Sequence, residues 1–480
     1  MEKKQYHMPI LEQLLKYSNK HPVSFHVPGH KNGVVFPEYL KKFFNPLLKI
    51  DLTELTGLDD LHAPKGIIRE AEQLASEYFH ALQTFFLVGG STVGNLAMIL
   101  AACSRGDKII VQRNCHKSVM NGLELAGAQP IFIAPNYDEL YQRHTYPSLE
   151  ILKQAIDEHP EAKAIVLTYP DYFGRASSLR QMIELAHQHQ MAVLVDEAHG
   201  VHFSLGAPFP ESALAQGADI VVQSAHKMAP AMTMASYLHV NSDRIKKERI
   251  AHFLQMLQSS SPSYPLLASL DVARYFLAHL TSEQIELILT SVDKLRETLS
   301  ELAACTVLPV LDQDDPTKIT LQTENGISGF ALAELLEQEG IYPELATHNQ
   351  VLLIHGLAPM DVTTNFKKSV KRINEKLKNS QNHDIIDVSN LFPKRIQSLA
   401  LSYEEMIQLP TKEIRLEEAV GFVAAEAIIP YPPGIPVVLK GEKITHEHVH
   451  VVKEFLEQGA KIQHQHIEQG INVFFHDRIF

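Results

Sequence analysis

The chain has 480 residues, 45% of them hydrophobic, enough to bury a large core and to divide into two or three domains. Its formal net charge of -13 repels nucleic acid and anionic lipid alike, so neither is expected as a partner. The start is charged and amphipathic where a signal peptide needs an apolar core, and no later stretch is long and apolar enough to cross a bilayer, so a cytoplasmic protein is expected.

Residues 1–35 read as an N-terminal arm and 36–300 as one large domain. From about residue 84 to 240, short apolar runs alternate with longer amphipathic ones, the rhythm of strands joined by crossover helices. That predicts a parallel α/β sheet, with strands at 84–88, 108–112, 130–134, 164–168, 192–196 and 219–223 and helices on both faces. After roughly residue 300 strands and helices mix, which predicts a smaller C-terminal α+β region over 301–480, with a surface loop or linker near 376–395. Residues 428–436 carry four prolines and cannot form a regular helix or a central strand. Cys103, Cys115 and Cys305 have no zinc spacing and read as buried or incidental thiols, with no disulfide.

In such sheets ligands gather beyond the carboxyl ends of the strands. There the turn Gly89-Gly90-Ser91-Thr92 precedes a helical run, so backbone N–H groups and hydroxyls would face one point suited to a phosphate, although the same residues serve as a plain helix N-cap. Asp196 ends an apolar strand, where a carboxylate needs a cationic partner. A protonated pyridine nitrogen would fill that role, as would a metal, a helix cap or a structural ion pair. Lys227, following Ser224-Ala225-His226 at the mouth of the next strand, would be partly desolvated and nucleophilic toward an aldehyde, or else a snorkelling surface lysine. His116 is placed to stack on a flat ring and His199 to orient a ring substituent or the Asp196 carboxylate, and either also fits a hydrogen-bonded core histidine. No recurrent His-x-x-x-His pair joins an acid at these ends, so no metal is expected.

A phosphate turn, then an Asp at a strand end, then Ser-x-His-Lys at a later one resembles the fold-type I, aspartate aminotransferase-like pyridoxal phosphate enzymes. Within them, Phe25-His26-Val27-Pro28-Gly29-His30-Lys31, Asp51-Leu52-Thr53-Glu54-Leu55, Asp196-Glu197-Ala198-His199-Gly200 and Ser224-Ala225-His226-Lys227 are similar to the bacterial Orn/Lys/Arg decarboxylases. Pro430-Tyr431-Pro432-Pro433-Gly434-Ile435-Pro436 is similar to that group's C-terminal domain. The resemblance implies a pyridoxal 5'-phosphate cofactor bound covalently by Lys227, with Asp196 on the pyridine nitrogen and His116 stacked on the ring. It further implies Ser91, Thr92, Ser224 and His226 on the phosphate side and His199 close to the ring.

The implied activity is a lyase of polyamine biosynthesis, decarboxylating arginine, lysine or ornithine, with a lean toward arginine. Glu54, Asp59, Asp60 and Glu426 are candidate acceptors for the substrate's distal cation. The chain resembles the short Gram-positive form without an N-terminal wing domain, acting as a homodimer or higher homo-oligomer. Another fold-type I reaction, aminotransferase or aldolase-like, and a non-catalytic cofactor- or amino-acid-binding regulator remain the competing readings.

Overall fold

Short runs rich in β-branched and aromatic residues become strands where polar turns stop them. The structure, a computed structural model, describes residues 5–324, 326–360, 364–377, 386–392, 394–430, 434–457, 460–463, 467 and 469–475. Much of the expected linker (378–385 and 393) and the centre of the proline segment (431–433) lie outside the described residues. The described strands of three residues or more are β1 (Gln83–Leu87), β2 (Lys108–Gln112), β3 (Gln129–Ile133), β4 (Ala164–Thr168), β5 (Ala192–Asp196), β6 (Ile220–Gln223) and β7 (Ser236–Val240). They continue with β8 (Cys305–Val307), β9 (Lys318–Thr323), β10 (Gln350–Ile354), β11 (Ile396–Ser398), β12 (Thr411–Ile414) and β13 (Ile471–Phe474).

Three of the six expected strands, β2, β4 and β5, match residue for residue, and the others shift by a single residue. The chain divides into two compact units, residues 1–102 with 178–281, and residues 103–177 with 282–480.

The first unit carries strands in the order β1-β7-β6-β5. β5 and β6 run parallel, with Asp196 opposite Val222, whereas β7 is antiparallel to both β6 and β1. The sequence reading did not anticipate β7. Its Tyr237 and His239 interrupt the apolar run, and both are fully buried because Tyr237 donates to the Leu270 carbonyl at 2.5 Å and His239 bonds Thr84 and Gln223. The helix Gly90–Ala102 lies against these strands, and a Cβ on Gly94 would meet Val222 Cγ1 at 2.7 Å and Leu87 Cδ1 at 2.9 Å. Only glycine allows that approach, which fixes how the helix start is aimed.

The second unit carries β4-β2-β3-β11, with β2 parallel to β3 and β4 and β11 antiparallel to β3. It also holds an antiparallel sheet built on β8, β9 and β10, backed by helices Gly329–Gln338 and Thr364–Leu377 around Leu299, Ile319, Leu336, Val351 and Ile373. A third sheet, on β12 and β13, closes the α+β region expected after residue 300. Arg113, 2% exposed, extends from the end of β2 to the carbonyls of Pro436 (2.9 Å) and Val437 (3.1 Å) and to Glu442 (2.8 Å). The three cysteines are all buried. Among the described residues no helix is long and apolar enough to cross a membrane.

Candidate active site

At the carboxyl end of β1 the chain turns through Gly90, at φ +76°, whose N–H donates to the Met234 carbonyl at 2.8 Å. The helix starting there directs Ser91 inward, where its hydroxyl meets that of Ser224 at 2.7 Å and that of Ser236 at 3.4 Å. Three hydroxyls from three chain segments thus converge at the start of a helix, whose first N–H groups have no partners within the helix and favour an anion. Thr92, one residue on, is exposed.

Four residues beyond Ser91 and on the same helix face, Asn95 donates through Nδ2 to Asp196 at 2.8 Å. The other Asp196 oxygen accepts the Ala198 N–H at 3.2 Å. The carboxylate is 3% exposed, both of these donors are neutral, and among the described residues it enters no ion pair. A buried carboxylate without a cation is costly, so this residue fits the pyridinium nitrogen of the cofactor that the sequence implies. Asn95 and Ser236 escaped the sequence reading. The signal for Asn95 was a lone amide in an otherwise small and apolar helix.

Lys227 lies in the short helix Ala225–Met228 that follows β6, half-buried, with its Nζ 3.0 Å from Nε2 of His199. With the ammonium donating, that ring nitrogen is unprotonated and can accept a proton from the amine. His226, in the same helix, bonds the Ala235 carbonyl through Nδ1 at 3.1 Å. The first unit therefore gathers Ser91, Asp196, His199, Ser224, His226 and Lys227 from the ends of β1, β5 and β6.

His116 belongs to the second unit, where it N-caps the helix Lys117–Ala126. Its Nδ1 accepts from the Ser118 N–H at 3.2 Å and meets the Ser118 hydroxyl at 2.8 Å, so the ring is held by its Nδ1 edge. The candidate distal acceptors have local duties. Asp59 caps the helix Ile67–Phe79 by accepting from the N–H groups of Gly66 (2.6 Å), Lys65 (2.9 Å) and Ile68 (3.2 Å). Asp60 accepts the His62 N–H at 2.8 Å, Glu54 takes the Thr53 hydroxyl at 2.5 Å, and Glu426 accepts from Asn472 at 2.6 Å. No group of three His, Cys, Asp or Glu among the described residues could hold a metal ion.

Two buried acids flank these strands. Burial pushes Glu197 up to about 8, against hydrogen bonds from Ala213 and Gln223, and pushes Glu72, which accepts the Phe86 N–H at 3.0 Å, up to about 8 as well. Both stay protonated in the folded protein while their unfolded counterparts ionise near 4.5, so their stability contribution is full below that value and is lost as pH rises through about 8. Each should cost up to about 1.4 kcal/mol per pH unit across that window. Melting temperatures from pH 5 to 8 should fall more steeply for the wild type than for Glu72→Gln, and equal slopes would refute the assignment for Glu72.

The sequence pattern of the Orn/Lys/Arg decarboxylase major domain matches residues 8–314, and that of the family's C-terminal domain matches residues 385–466. The chain is 45% identical over 461 residues to an uncharacterised Bacillus subtilis protein, YaaO, covering 95% of each. It is 38% identical over 472 residues to a Bacillus subtilis arginine decarboxylase, covering 96% of each. Its fold matches that of lysine decarboxylase A from Pseudomonas aeruginosa with a TM-score of 0.81 at 19% identity, over 97% of this chain and 80% of that one. The expected fold-type I architecture is thereby established. The chain belongs to the Orn/Lys/Arg decarboxylase family and is a pyridoxal phosphate-dependent amino-acid decarboxylase.

Proposed function

We propose that this protein decarboxylates arginine to agmatine and CO2, and that Lys227, Asp196 and His116 carry the reaction. The observations that support the reading best are the buried Asp196 carboxylate with neutral donors only, at the end of β5, and a lysine after the neighbouring β6 whose amine touches His199. In this reading Lys227 holds the cofactor covalently and Asp196 balances its ring nitrogen. Ser91, Thr92, Ser224 and His226 lie on the phosphate side, and His199 lies near the ring. Pyridoxal phosphate supplies the electron sink that makes loss of the carboxylate feasible. The substrate gives up its α-carboxylate as CO2 and takes a proton at the same carbon. Lys227 Nζ and His199 Nε2, 3.0 Å apart, form a pair that can pass that proton between them.

Arginine is favoured over lysine and ornithine by the identity to a relative bearing the arginine decarboxylase name. Incubating the holoenzyme with each amino acid and measuring CO2 with agmatine, cadaverine or putrescine decides among them. Agmatine as the main product is expected. Preferred cadaverine or putrescine would overturn the substrate, and a keto acid or an aldehyde fragment without CO2 would overturn the reaction.

The same reading places the protein in the cytoplasm within polyamine formation, as a homodimer whose sites are completed by a second copy. It keeps the division into an arm (1–35), a large domain (36–300) and a C-terminal region (301–480). Val23, Phe25, Val34, Tyr39 and Phe43 expose apolar side chains along the first unit, a surface that a second copy would cover. A single-chain molar mass in solution would overturn the dimer.

His116 stacks on the cofactor ring in this reading, and its Nδ1 bonds to Ser118 would hold the ring's tilt. His116→Ala should keep the covalent bond to Lys227 yet lower turnover roughly tenfold and speed cofactor loss, with His116→Phe partly restoring both. A core histidine would behave otherwise, with a lower melting temperature and unchanged turnover per bound cofactor.

A further inference from the structure

Beneath the site, four side chains form one buried chain of hydrogen bonds from the residue after β5 across β6 and β7 to β1. Glu197, fully buried, accepts the Ala213 N–H at 2.7 Å and the Gln223 amide at 2.6 Å. Gln223 Oε1 lies 3.0 Å from His239 Nε2, and His239 Nδ1 lies 2.9 Å from the Thr84 hydroxyl. Gln223, His239 and Thr84 are each 0% exposed, so no water shares these bonds at their surfaces. The chain runs from the residue after β5, through the last residue of β6 and the fourth residue of β7, to β1.

Its first two members adjoin the chemistry through the backbone. Glu197 directly follows Asp196, and Gln223 directly precedes Ser224 and the turn carrying Lys227. The last paired residues of β5 and β6 are Asp196 and Val222, and the Glu197 N–H still reaches the Val222 carbonyl at 2.8 Å. Beyond that point the Glu197–Gln223 side-chain bond joins the two strand ends. The side chain of Glu197 also explains Gly200 in the same motif, because a Cβ there would meet Glu197 Cγ at 2.6 Å.

We propose that Glu197 is a positioning residue of the decarboxylase, fixing through Gln223 the separation of the strand ends that present Asp196 and Lys227. The inference rests on the assignment of those two residues to the reaction.

Charge supports it. Burial holds Glu197 up at about 8 and His239 down at about 3, so at neutral pH the chain carries no net charge to compete with Asp196. Every linking member can both donate and accept, so the chain can close in either polarity. Glu197→Gln should therefore keep it, whereas Glu197→Met fills similar volume and breaks it. A displacement of strand ends by about 1 Å lowers turnover by up to about a hundredfold.

The test uses the cofactor-loaded enzyme. Glu197→Met is expected to lower kcat per bound cofactor roughly 10- to 100-fold with little change in KM, and to speed cofactor dissociation, while Glu197→Gln stays near wild type in both. A folded Glu197→Met protein with wild-type kcat per bound cofactor and wild-type dissociation overturns the proposal, whatever its melting temperature. Should that variant not fold, Gln223→Leu, which removes the other side of the same bond, is judged on the same two readouts. A loss of about threefold or more supports the tie, and wild-type values overturn it. Failure of the underlying reading looks different, since CO2 release would then persist in Lys227→Ala.

Discussion

Lys227→Ala should cut CO2 release by at least roughly a thousandfold while leaving the fold intact. Covalent attachment of the cofactor and proton delivery would both be lost, and positioned proton transfer alone is worth about 10²–10⁴ in rate. The structural cost should be small. Lys227 is half-buried in a four-residue helix, and its described hydrogen bond runs to another side chain of the site, His199, at 3.0 Å. Borohydride reduction followed by peptide mapping checks the assignment independently of rate. The pyridoxyl label is expected on the peptide containing Lys227, and a label on any other lysine would overturn its role.

Asp196→Asn should lower turnover roughly 10²- to 10³-fold with the protein still folded and able to take up cofactor. The amide has nearly the shape of the carboxylate and can still accept the Ala198 N–H, but it carries no charge to balance a ring cation. At 3% exposure that missing charge is not replaced by water. The measurement is kcat at saturating arginine, set beside circular dichroism and cofactor absorbance. Near-normal decarboxylation by a folded, loaded variant would contradict the pairing.

The parallel strands were readable because they are short apolar runs, several too uniform to have a wet face, as in Ala192-Val193-Leu194-Val195. Asp196 and Lys227 stand out in the sequence for the same reason, because they follow the points where apolar runs stop. The family followed from the order of these motifs, and the matches over residues 8–314 and 385–466 bear it out.

Other features depended on neighbours distant in sequence. Strand β7 has Tyr237 and His239 at core positions, and nothing local shows that Leu270, Thr84 and Gln223 will satisfy them. Asn95 takes its meaning from Asp196, 101 residues away, and Glu197 from Gln223, 26 residues away. Asp59, one of four candidate acceptors in the sequence, takes its hydrogen bonds from the backbone N–H groups at the helix start beside it, which its own position in the string does not show. Apolar periodicity is a property of consecutive residues and survives in a string of letters. The partner of a buried polar group is chosen only when the chain has folded, because burial raises the cost of an unmet hydrogen bond to the point where distant segments must supply it.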